Sequence, residues 1–348
     1  MSRGNNFDLL RLVFASTVML VHLHVLSAEP ALAFFSAALS SELAVQGFFV
    51  ISGYLVVMSY ERSAGLADYA GKRIRRIYPA YAAVVMACAL GGWLFTAAGT
   101  SEYFSMAWVR QVAANLVFLN FLAPELPGLF ADNPWHAVNG ALWTIKLEVG
   151  FYVLVPVLVW CSGRTRPWVV VAVVYAASVI YALLLEHAFR ETGRDAYLIL
   201  ARQLPGQLAY FAAGACAWWY RGVPQRHLVL AMAVALALLL FAPAGLLPAV
   251  RPLALGVLVI GIAVALPGLG NVGRHGDFSY GIYILHFPTI QVLVSLGWFH
   301  AAPLAASAGC VLFVAAAAWL SWNLIEQPML KASSHYVKAL APADRRLS

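Results

Sequence analysis

Apolar stretches long enough to cross a hydrocarbon layer of about 30 Å recur along nearly the whole chain, separated by short polar breaks. They predict helices over roughly 7–26, 42–60, 75–98, 141–161, 168–186, 201–220, 228–243, 247–266, 278–297 and 302–325. That pattern describes an all-α polytopic membrane protein of about ten spans. It forms a single domain over 1–348, with its helical core at 7–325 and a short polar tail at 326–348. Residues 108–123 (WVRQVAANLVFLNFLA) are apolar but short, and are read as a re-entrant or interfacial helix on the outer face; an odd number of crossings is the alternative. The loop after them, 124–140, carries acids, Pro, Gly and Asn but no Lys or Arg. No repeat period is visible, and no inverted pair of Gly/Pro-broken helices stands out.

Composition sharpens this picture. The chain of 348 residues is 62% hydrophobic and 11% charged, about half the charge of a soluble domain. Asp8 and Arg11 interrupt the first apolar segment, which argues against a cleaved leader. The net charge of +7 raises the question of nucleic acid, and the placement of the charges answers it. With the N-terminus cytoplasmic, 15 of the 22 Lys and Arg collect on the inner side, from Arg3 through Arg62, the 72–76 cluster, Arg164, Arg166, Arg221, Arg226 and Arg274 to the tail. Five (Arg110, Arg190, Arg194, Arg202 and Arg251) fall outside, and Arg11 and Lys146 lie within the membrane. This is the positive-inside bias, so the basic balance reports topology, with the bilayer as partner and no nucleic acid. Cys88, Cys161, Cys216 and Cys310 stand singly, in neither a metal spacing nor a disulfide framework, so no metal is expected.

Ionisable groups inside the spans are the candidate chemistry, because they are expensive there and face a protein interior or a wet cavity. In the first segment ten residues separate Arg11 from His22. Eleven steps make about three turns, so both lie on one helix face roughly 16 Å apart. Arg11 falls near the cytoplasmic end and His22 in the outer third. A neutral imidazole there can act as a general base or as an acyl-transfer nucleophile; a histidine merely hydrogen-bonded across helices is the other reading. In YAGKRIRRIYP, Arg73 and Arg76 are three apart and suit phosphate groups, or serve as an ordinary anchor to anionic lipid. Glu148, in ALWTIKLEVGFY, lies at a depth comparable to His22 and either orients the imidazole or is a buried structural carboxylate. In FSYGIYILHFP, Ser279, Tyr283 and His286 share a face towards the cytoplasmic half, and Pro288 frees a nearby carbonyl. Gly47 and Gly53 in GFFVISGYL permit close helix approach or a local break. Glu326 in LIEQP invites an arginine partner, in a structural role. A transporter or flippase that uses the same buried charges as a path is the rival to an enzyme, and a scaffold subunit a further one.

The ordered set of these pieces resembles the acyltransferase 3 family of integral-membrane acyltransferases that modify bacterial surface saccharides. The pieces are Arg11 with His22, GFFVISGYL, Arg73-x-x-Arg76 before Tyr78-Pro79, and LWTIKLEVGFY joined to SYGIYILHFP and IEQP. The resemblance implies a ten-helix bacterial inner-membrane domain with both ends cytoplasmic. It implies an acyl-CoA donor, usually acetyl-CoA, no bound cofactor, and a sugar hydroxyl of a polysaccharide or lipid-linked glycan as acceptor. By the family pattern His22 is the central catalytic group, and Arg11, Arg73 and Arg76 serve donor binding or positioning; Glu148 or another acid would orient His22, and Tyr283 and His286 are further substrate-binding candidates. The chain departs from the family form Trp-Ser-Leu-x-x-Glu at 143–148, where Thr144 keeps the hydroxyl. No appended hydrolase-like domain is seen, so transfer to a glycan at the membrane is expected.

Overall fold

The computed structural model describes residues 5–269, 273 and 276–331; Arg3, Arg274 and the tail beyond 331 lie outside them. Among the described residues the only extended pairing is one isolated bridge, between Thr96 and Leu129. The rest of the regular structure is helical: α1 (Phe7–Ser27), α2 (Ala33–Ala38), α3 (Ser41–Glu61), α4 (Leu66–Gly91), α5 (Thr100–Tyr103), α6 (Met106–Leu116), α7 (Trp143–Arg164), α8 (Pro167–Thr192), α9 (Asp195–Ala201), α10 (Leu204–Trp219), α11 (Gln225–Phe241), α12 (Leu247–Val264), α13 (Ser279–Ser295), α14 (Trp298–Ala301) and α15 (Pro303–Ser321). A helix stands at each of the ten expected places. Seven of them are long and apolar enough to cross a membrane, while α10, α11 and α13 run for only 16, 17 and 17 residues. The outward side of α8 is what a bilayer demands: Val173, Ile180 and Leu184 are 63%, 56% and 63% exposed, an apolar face that water would not tolerate at this density. The chain is a multi-pass membrane protein.

Three boundaries differ from the pattern. α4 starts at Leu66, nine residues before the expected 75, so Lys72, Arg73, Arg75 and Arg76 are helical. Hydropathy registers only the part of a helix that is apolar, whereas Lys, Arg and Ala are good helix formers that extend it beyond the apolar edge. The helix at 108–123 is α6, which begins two residues earlier, ends at Leu116 and has eleven residues, about 16 Å of rise and half a bilayer. At the far end α15 widens into a π turn over Trp322–Glu326 before a last short turn, Gln327–Met329.

The chain divides into two compact units, each built from three segments, and α1, α3, α4 and α7 contribute residues to both. One unit holds residues up to Leu10, Val45–Tyr69, and Leu147 through α12. Its centre is a ring pile of Phe49, Phe151 and Phe211, with the last two stacked 4.6 Å apart. Beside it α3 and α10 touch backbone to backbone: a Cβ on Gly53 would stand 2.0 Å from the Phe211 carbonyl oxygen, and one on Gly214 1.9 Å from that of Val50. The close approach expected of Gly53 is therefore real.

The other unit holds Arg11–Ala44, Ala70–Lys146 and the chain from α13 onward. The loop 124–140 is fixed within it. Leu126, Leu129, Phe130 and Val138 join Ala89 and Tyr103 in one apolar cluster. The fully buried Gln291 of α13 donates to the Trp135 and Ala137 carbonyls, at 2.6 and 2.8 Å, while Asn133 donates to its carbonyls.

Candidate active site

His22 and His286 meet within the second unit. Their Nδ1 and Nε2 atoms are 2.8 Å apart, with ring centroids separated by 5.0 Å. This corrects the sequence reading, which set His22 in the outer third and His286 in the cytoplasmic half. Depth counted from a helix end assumes that all helices start in one plane; α13 begins two residues after the buried Asp277, and its eighth residue reaches the level of the sixteenth of α1. His286 is fully buried, whereas His22 is half-buried. The edge of the Phe287 ring closes one side of His22 at 5.9 Å. Phe287 can sit there because position 140 is Gly: a Cβ would stand 2.7 Å from the phenyl ring.

The surroundings of His286 are built from α13 and the start of α7. Pro288 has no N–H for the Ile284 carbonyl four residues back, and Asn139 Nδ2 donates to that carbonyl instead, at 2.8 Å. Tyr283 packs against the His286 ring at 5.8 Å. Its hydroxyl is 2.7 Å from Thr144 Oγ1, which itself donates to the Ala141 carbonyl, so the tyrosine is the donor of the pair. The hydroxyl retained at 144 is thus in use. Along α13 lies an apolar cavity of about 630 Å³, walled by Val84, Cys88, Phe130, Leu285, Val292 and Phe313 among others.

Arg11 and Arg76 come together on a residue that the sequence reading passed over. Asp277, 2% exposed, takes Arg11 Nη2 at 3.2 Å and Arg76 Nη2 on the same Oδ2. Its Oδ1 accepts from the Ser279 N–H and hydroxyl, capping the first turn of α13. Burial works to raise the Asp277 carboxyl, but Arg11, Arg76 and the Ser279 bonds outweigh it and hold it below the usual carboxylate range. Arg76 also reaches Glu326 at 3.7 Å and lies over the Trp322 ring. Glu326 therefore has its arginine, and Ser321 donates to it at 3.0 Å from the preceding turn. The π turn is what swings Glu326 inward. Arg73 sits half-buried one turn before Arg76. Glu148 belongs to the other unit, where it accepts from Tyr152 one turn along α7 at 2.5 Å. The group found on Nδ1 of His22 is an imidazole, where an acid was expected.

One signal in the sequence pointed to Asp277: between Asp195 and Glu326 it is the only acidic residue. An acid so isolated among apolar segments and arginines has few ways to be satisfied.

Comparison with known sequences bears on what this site does. The sequence model of the acyltransferase 3 family, described as an acyltransferase domain, matches residues 5–322. A protein named O-acetyl transferase, from Shigella phage Sf6, is 29% identical over 344 residues, covering 96% of this chain and 98% of its own. A protein named Nodulation protein 10, from Rhizobium leguminosarum bv. viciae, is 31% identical over 360 residues, covering 94% of this chain and 93% of its own. No solved structure matches.

Proposed function

The chain belongs to the acyltransferase 3 family, and from that premise we propose that it is a membrane O-acyltransferase moving an acetyl group from cytoplasmic acyl-CoA to a sugar hydroxyl of a surface or lipid-linked glycan. The similarity to a phage O-acetyl transferase supports both the acetyl group and the oxygen acceptor. The observation that carries the reading is a ladder of two rungs between α1 and α13: Arg11 on Asp277, and His22 on His286. The eleven positions from Arg11 to His22 and the nine from Asp277 to His286 amount to roughly 16 and 14 Å of helix rise. A pantetheine arm extends to about 20 Å. Donor phosphates near Arg11, Arg73 and Arg76 would therefore let the thioester reach His22.

His22 then takes the proton of the acceptor hydroxyl as its oxygen attacks the thioester carbon. The carbon–sulfur bond breaks, and the imidazolium returns the proton to the departing CoA thiolate. A relay in which the imidazole first carries the acyl group uses the same contacts. The apolar cavity along α13 has room for a hydrocarbon chain and favours a lipid-linked acceptor at the membrane. In this reading the three shorter helices also cross, giving ten spans in the bacterial inner membrane with both ends cytoplasmic, an arrangement that the 15-to-5 split of basic residues favours.

The test is transfer of label from acetyl-CoA into glycan, in membranes matched for wild type and His22→Ala. Wild type transfers, and the substitution lowers the rate by at least ~10²-fold. Full transfer by His22→Ala would remove His22 from the reaction; no incorporation by wild type would remove acetyl-CoA as donor.

A further inference from the structure

His286 was a candidate for holding substrate, but its hydrogen bonds give it a different role. Its Nδ1 lies 3.1 Å from the Ile282 carbonyl oxygen. A carbonyl only accepts, so that nitrogen carries a proton. A neutral imidazole protonated at Nδ1 has its lone pair at Nε2. His22 Nδ1 stands 2.8 Å from that lone pair and must be the donor. The proton of a neutral His22 is therefore on Nδ1, and its Nε2 is bare. Among the described residues no protein group bonds that Nε2, and His22 is only half-buried, so the bare nitrogen is the one a substrate can meet.

We propose that His286 is a positioning residue that fixes the tautomer of His22, making Nε2 its reacting atom. The proposal rests on the reading of His22 as the catalytic group and adds to it which atom reacts and why. Everything around His286 holds the ring in the orientation this needs. The Ile282 carbonyl pins Nδ1, the Tyr283 ring blocks rotation from one side, and Asn139 secures the turn of α13 that Pro288 would loosen. The orienting group is neutral. A carboxylate in its place would add a permanent charge to a buried site, whereas an imidazole accepts the His22 proton without one. When Nε2 takes up the proton of the hydroxyl, the Nδ1–H···Nε2 bond becomes charge-assisted and strengthens, which favours the proton's arrival.

Two measurements test this. The first is ¹⁵N NMR of histidine-labelled protein in lipid nanodiscs, with His22 assigned through its substitution. The expected spectrum of neutral His22 is that of the Nδ1–H tautomer in wild type, lost in His286→Leu. An Nε2–H tautomer in wild type overturns the proposal, whatever the variants do. The second is steady-state transfer by His286→Leu and His286→Gln. Leucine offers no acceptor, and kcat should fall ~10²-fold or more with the KM for acyl-CoA changed less than about twofold. Glutamine keeps an acceptor oxygen and should recover at least about tenfold of that loss. A raised KM at unchanged kcat, or equal loss in both variants, returns His286 to binding or packing. These outcomes stand apart from a failure of the underlying reading, which is full transfer by His22→Ala.

Discussion

Asp277 is bound on both oxygens, and the two act separately. Oδ2 gathers Arg11 and Arg76, while Oδ1 starts α13. With the carboxylate 2% exposed and the arginine side chains 17% and 15% exposed, this is a buried charge cluster. Removing one partner of such a cluster leaves the others uncompensated and costs ~3–5 kcal/mol. Asp277→Asn should therefore lower the melting temperature far more than Ser279→Ala, which removes one hydrogen bond worth about 1 kcal/mol. Thermal unfolding in detergent compares the two, and equal shifts would mean that the arginines find other partners. The pH dependence has a definite sign. The folded carboxyl is held below its ordinary value, so its contribution is complete above about pH 4–5 and fades only in stronger acid. Because Glu326 shares Arg76 with Asp277, the comparison is made in a Glu326→Gln background: thermal stability there should show no Asp277-dependent step between pH 5 and 8, and a step that vanishes on adding Asp277→Asn would contradict the assignment.

At the scale of elements, close helix contacts matter more than helix propensity. Gly53 and Gly214 each face a carbonyl oxygen that belongs to backbone and cannot rotate aside. Gly53→Ala and Gly214→Ala should each destabilise by ~1–3 kcal/mol through overpacking. Val173→Ala on the outward face of α8, 63% exposed, should stay within about 0.5 kcal/mol. The comparison separates helix contact from any general effect of altering a span. A small residue inside GFFVISGYL was legible as a site of close approach; its partner, Gly214 on α10, was not, because nothing local links two segments some 160 positions apart. Element ends were legible where an apolar run stopped and misjudged where a basic, helix-forming stretch carried α4 on. The π turn had no signature in the sequence, although the arginine partner of Glu326 was foreseeable from its burial at a span end.

For the whole molecule, the chemistry-bearing residues come from opposite ends of the chain: 264 positions separate His22 from His286, and 201 separate Arg76 from Asp277. A sequence shows such residues as isolated costs, each buried group needing a partner, without saying which partner. That is why Arg11, His22, Arg76 and His286 were legible as a set, while the pairing of imidazole with imidazole and the two-arginine seat on Asp277 were not. The remaining question at this scale is orientation, and the parity of the crossings decides it. If α6 does not cross and α10, α11 and α13 do, Thr165 and Gly222 lie on the cytoplasmic side and Glu125, Gly193 and Pro243 on the other. A crossing by α6 would put Thr165 and Gly222 outside, along with the arginines on either side of them, at a cost that the positive-inside bias opposes. Eleven residues of α6 cover only about 16 Å, so the first arrangement is expected. Single cysteines at those five positions, in a chain whose Cys88, Cys161, Cys216 and Cys310 are replaced by Ala, should be labelled by a membrane-impermeant maleimide in intact spheroplasts at 125, 193 and 243. Positions 165 and 222 should react only after lysis. Labelling of 165 in intact spheroplasts would reverse the second half of the molecule and, with it, the side from which the donor could reach Arg76.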